Sequence, residues 1–114
     1  MRALAVLAAL SGALAVIAGA YGVHGAAGVP AEWIKTGSHY QLIHAVAAVA
    51  VMERPLGRFA GWCFVAGAAL FAGTLYAMAL GAPHWLGAVT PLGGIGLIVG
   101  WFALAIGAWR SGRA

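Results

Sequence analysis

The chain contains no aspartate, and its only carboxylate side chains, Glu32 and Glu53, fall in separate segments. A Ser–His–Asp set is therefore impossible, and no phosphate-cradling or dinucleotide-binding glycine motif takes its place. The single cysteine, Cys63, sits inside an apolar run, so neither a disulfide nor Cys-x-x-Cys chemistry is available within the chain. Charge is scarce altogether, at 7% of 114 residues against about 25% in a soluble domain. The six Lys and Arg give a net charge of +4 but are scattered, without the basic patch that a nucleic-acid reader needs. These absences argue against an enzyme. No cofactor and no metal site is expected.

What the chain does have is apolar surface. Hydrophobic residues make up 64% of it and 18 more residues are Gly; the mean hydropathy is +0.98. A domain this small buries only roughly 60–70% of its surface on folding. The remainder would be an apolar patch too large for a soluble monomer. The partner these numbers imply is the lipid bilayer.

Charged residues mark off the spans. None occurs from Ala3 to Ala31, from Thr36 to Met52, or from Phe59 to Trp109. A spanning helix needs about 20 residues, so the last stretch holds two, with Gly81-Ala82-Pro83-His84 as the break. The expectation is an all-α membrane protein, a compact four-helix bundle forming one domain over residues 1–114. Its helices are expected at about 4–25, 38–53, 57–80 and 90–109, with an amphipathic lead-in at 30–36 that lengthens the short second span and a bend or break at Gly37. The first segment resembles a signal peptide with Ala18-Gly19-Ala20 as a cleavage site, but its apolar run continues past Ala20 and is read as a span. Four spans put Arg2, Arg54, Arg58, Arg110 and Arg113 on one side and only Lys35 on the other. The positive-inside rule then predicts both termini in the cytoplasm.

Membrane helices associate through close packing, which small residues permit. Helix 1 carries Ala8, Gly12, Ala15, Gly19, Gly22 and Ala26 at helical spacing; helix 4 carries Gly93, Gly96 and Gly100. Both stripes are read as packing seams. They are read first as seams within a single bundle, with a homo-oligomer or a larger membrane complex as the alternative.

One polar stripe stands out. Gly37, Tyr40, Gln41, His44 and Ala48 share a face of helix 2. An ionisable group inside a membrane marks a candidate site. His44 is expected as a neutral, buried ring in the outer leaflet. Its candidate shell is Tyr21 and His24 from helix 1, Thr74 and Tyr76 from helix 3, and Thr90 from helix 4. Thr90-Pro91 also has the form of a helix cap. The four histidines do not add up to a metal site, since His39 and His44 point to different helix faces.

The order of short motifs along the chain resembles a known family. Gly22-Val-His24-Gly, Tyr40-Gln41-Leu-Ile-His44-Ala, Leu70-Phe71-Ala-Gly73-Thr74-Leu75-Tyr76 and Thr90-Pro91-Leu-Gly93-Gly94, with Gly100-Trp101, look like the successive signatures of the YgdD-like (YwdK-like) family. The resemblance implies four helices in the bacterial inner membrane and names no reaction or ligand. Small size, packing stripes and few reactive groups then favour an interaction, scaffold or accessory subunit. The alternative is a transporter or sensor of a proton or small solute acting through the His44 region.

Overall fold

The computed structural model describes residues 2–112. Four helices follow one another: α1 (Arg2–His24), α2 (Gly28–Val51), α3 (Gly57–Ala79) and α4 (Thr90–Gly112), with a 3-10 turn at His84–Ala88 just ahead of α4. Among the described residues, three stretches are long and apolar enough to cross a membrane: Ala3–His24, Gly57–Ala79 and His84–Gly112. α2 has the length, 24 residues or about 36 Å by helical rise. Its first half, however, carries Glu32, Lys35 and His39.

In α2 the lead-in at 30–36 lengthens the second span as expected, from Gly28, and the helix runs through Gly37 without a break. A glycine costs a helix interior about 1 kcal/mol, but here packing outweighs propensity. Ala31, Ile34, Gly37, Gln41, His44, Ala45 and Ala48 are all buried along one face. A Cβ on Gly37 would meet the Tyr76 ring at 2.8 Å and the Ala72 Cα at 3.3 Å, so the glycine lets α3 approach.

The helices pack in chain order, α1 on α2, α2 on α3 and α3 on α4, with a shorter seam between α1 and α3. Ala8 of α1, Ala48 of α2, Ala60, Phe64 and Ala68 of α3, and Leu97 and Ala103 of α4 form the shared core. The small residues lie in the seams. On α1, Gly12 faces the Ala45 methyl, Gly19 faces Ser38, and Gly22 faces Ile34 and Lys35. On α4, Gly100 makes room for the Phe64 ring, Gly96 lies over the Gly67 Cα, and Gly93 rests on the α3 backbone at Gly67 and Phe71. Any side chain at Gly93 would push two backbones apart.

The turns follow from sequence. α3 ends with Gly81 at φ +108°; Gly81 N–H donates to the Met78 carbonyl at 3.1 Å and Ala82 N–H to the Ala77 carbonyl at 2.9 Å. This is a Schellman stop, which favours glycine in the left-handed position and a proline soon after. Leu56 takes a similar conformation, φ 59°, without being glycine. It allows a five-residue reversal from α2 to α3 at the end that carries Arg54 and Arg58.

Candidate functional site

Ser38, Gln41 and His44 of α2 sit on the face that packs into the bundle, whereas Glu32, Lys35 and His39 are exposed. Gln41 and His44 are each 5% exposed. The Tyr76 hydroxyl donates to Gln41 Oε1 at 2.7 Å, and Gln41 Nε2 donates to Ser11 Oγ at 3.1 Å. One amide thus ties α1, α2 and α3 together. A turn earlier, the Ser38 hydroxyl donates to the Ala15 carbonyl at 2.8 Å. Such bonds average about 0.6 kcal/mol each between membrane helices, because the unfolded helices also find partners.

His44 lies in a different group. Its Nδ1 is 2.7 Å from the Tyr40 carbonyl, and its Nε2 is 2.9 Å from Trp101 Nε1. A carbonyl only accepts and an indole N–H only donates. Nδ1 therefore carries the proton, and Nε2 offers its lone pair to Trp101. Both ring nitrogens are engaged in the neutral form; the imidazolium would lose the Trp101 bond. The ring is boxed by aromatics, with Phe64 at 5.3 Å, Trp101 at 5.8 Å and Tyr40 stacked at 6.3 Å between centroids.

Thr74 and Thr90 make a third group, joining α3 to α4 through their hydroxyls at 2.6 Å. Thr74 also reaches the Leu70 carbonyl at 2.9 Å, and Thr90 the Leu86 carbonyl at 3.3 Å. The capping role expected of Thr90 gives way to these bonds. The 3-10 turn leads directly into α4, so Thr90 already has carbonyls one turn behind it.

The residues expected around His44 are therefore not one shell. Gln41 meets Tyr76, Thr74 meets Thr90, and His44 meets neither Thr74, Thr90 nor Tyr76 through a hydrogen bond. Tyr21 and His24 are exposed on the last turns of α1, and Tyr40 is 43% exposed beside Phe71. The early start of α2 explains the split. Counted from Gly28, His44 lies about 24 Å along the helix by its rise. That is past the helix midpoint, nearer the end that leads to Arg54 than the end that begins at Gly28. The histidines stay apart: His39 is edge-on to Tyr40, and His84 is edge-on to Trp33 at 5.3 Å.

Three partners were not singled out from the sequence as site residues. Ser11 continues the buried α1 face of Leu4, Ala8 and Ala15, so its helical register was a usable signal. Trp101 reaches His44 only because α2 and α4 both pack on α3, a placement that local sequence does not give. Phe64, on α3 between them, is one apolar residue among many until that placement is known.

Among the described residues, no buried side-chain nitrogen or oxygen lacks a partner. The interior polar groups satisfy one another.

A family model described as a protein of unknown function (DUF423) matches residues 18–94. A UPF0382 membrane protein of Haemophilus influenzae is 35% identical over 114 residues, covering 92% of each chain. The UPF0382 membrane protein YwdK of Bacillus subtilis is 35% identical over 119 residues, covering 95% of this chain and 97% of its own. The UPF0382 inner membrane protein YgdD of Escherichia coli is 36% identical over 124 residues, covering 98% and 93%. No solved structure matches the chain.

Proposed function

The chain belongs to the DUF423 family, whose relatives are membrane proteins, and on that premise we propose that it is a four-span protein of the bacterial inner membrane, with both termini cytoplasmic, working as an accessory or interaction subunit and not as an enzyme. α2 is the fourth span. Its polar residues are tolerable in lipid because Gln41 and His44 face the bundle and find partners there. The cytoplasmic end is the one bearing Arg54, Arg58 and Arg110.

The observation that carries the accessory role is the closure of the polar network. His44 spends both nitrogens on Tyr40 and Trp101. Transport or sensing of a proton through His44 would need a group that passes a proton on, and the indole N–H donates without accepting. What the protein offers outward is apolar helix surface, including Ile17, Val46, Phe102 and Trp109, each at least 60% exposed.

Crosslinking in native membranes, followed by mild extraction and mass spectrometry, tests the role. A second protein or a second copy held at fixed stoichiometry supports it. A chain that stays alone in native membranes, by crosslinking and by single-molecule photobleaching, overturns it.

A further inference from the structure

Toward the arginine-bearing end, part of the apolar surface forms a groove with a cationic end. Val99, Phe102 and Ile106 on α4, with Phe59 on α3, line an open apolar groove of about 510 Å³ that ends at Arg110. All four apolar residues are at least 42% exposed, so in a bilayer the groove faces lipid tails. From Val99 to Arg110 it runs about 16 Å by helical rise. That is roughly the depth of one leaflet in a hydrocarbon core about 30 Å thick.

At its end the groove meets a second hollow of about 390 Å³, lined by Pro55, Leu56, Gly107, Arg110 and Ser111. Gly107 lets α4 lie against the Pro55 carbonyl, which fixes the hollow between the α2–α3 turn and the last turn of α4. Pro55 and Ser111 also line a neighbouring hollow, together with Arg54. Glu53 shares the turn with Arg54, yet no ion pair forms at this end: among the described residues the one ion pair is Lys35–Glu32 at 3.2 Å, on α2 toward the opposite end.

We propose that this groove and hollow bind one anionic phospholipid, with an acyl chain along Val99, Phe102 and Ile106 and the headgroup phosphate at Arg110, assisted by Ser111 and Arg54. The charge complementarity selects the lipid class. A guanidinium at the membrane surface pairs with phosphate in a planar, often bidentate way, and a basic pocket between membrane helices suits an anionic headgroup. A zwitterionic lipid carries its own cation and gains less. The site requires the membrane but not the proposed orientation, so its failure would leave the four-span reading standing.

The test is native mass spectrometry of the full chain from mixed micelles containing equal phosphatidylglycerol and phosphatidylcholine. Wild type should retain phosphatidylglycerol at least about threefold over phosphatidylcholine. Arg110→Gln should bring the two lipids to parity and Arg110→Lys should restore most of the preference, while Lys35→Gln should leave it intact. Inorganic phosphate at equal concentration should not displace the lipid, because the acyl chain holds it. Equal retention of both lipids by wild type, or a preference that survives Arg110→Gln, would overturn the proposal. So would a loss equally large in Lys35→Gln, or displacement by inorganic phosphate.

Discussion

Trp101 donates its indole N–H to His44 Nε2 at 2.9 Å, joining α4 to α2 across the top of the Phe64 ring. With the Tyr40 carbonyl accepting from the Nδ1–H, this contact fixes the tautomer of the buried histidine. Nitrogen-15 NMR of labelled His44 should show a protonated Nδ1 and a bare Nε2. Trp101→Phe should destabilise the protein by about 1 kcal/mol, within the range for hydrogen bonds between membrane helices. A His44→Phe/Trp101→Phe double-mutant cycle should return a coupling of similar size. Additive single effects, or the opposite tautomer, would remove the contact from the account.

Gln41 holds bonds to two other helices, so its loss should exceed that of either partner. Gln41→Leu leaves both the Ser11 and Tyr76 hydroxyls without their partner. We expect a loss of about 1–2 kcal/mol, against about half of that for Ser11→Ala, read by equilibrium unfolding in mixed micelles. Equal losses would mean that the amide does not bridge.

Two glycines on the α3–α4 side should respond with opposite signs. A Cβ on Gly93 would strike the Phe71 backbone, whereas one on Gly73 would meet nothing within 4 Å. Gly93→Ala should destabilise by about 1–3 kcal/mol through overpacking. Gly73→Ala should stabilise by up to about 1 kcal/mol through helix propensity. Matching effects would mean that the α3–α4 seam is not closely packed there.

Leu56 sits at φ 59° and is 42% exposed. Glycine adopts that conformation without a steric cost. Leu56→Gly should therefore raise stability by about 1 kcal/mol, the smaller side chain losing little burial. A melting temperature lower than wild type would show that the Leu56 side chain contributes more than its backbone strain removes.

Much of the fold was legible because it rests on local chemistry. The gaps between charges bounded α1, α3 and α4, and Gly81 with Pro83 marked the stop after α3. The lead-in of α2 from Pro30 was also legible, but its continuity was not, because Glu32, Lys35 and Gly37 resemble a boundary. Only the buried line from Ala31 to Ala48 shows that a single helix passes through them. The candidate site divided in the same way. Gln41 and His44 were visible from their shared face, but their partners depend on axial offsets between helices. The unbroken course of α2 from Gly28 carries His44 past the helix midpoint, where it meets Trp101 and not Thr74 or Thr90.

The central claim is that α2, the least apolar of the four helices, crosses the membrane. Three spans would leave the termini on opposite sides, and four put them together. Dual reporter fusions, at the N-terminus, at Gly28, at His84 and at the C-terminus, read that parity directly. The account predicts cytoplasmic signals from both termini and extracytoplasmic signals from Gly28 and His84. A C-terminal reporter active outside the cytoplasm while the N-terminal one stays inside would contradict it.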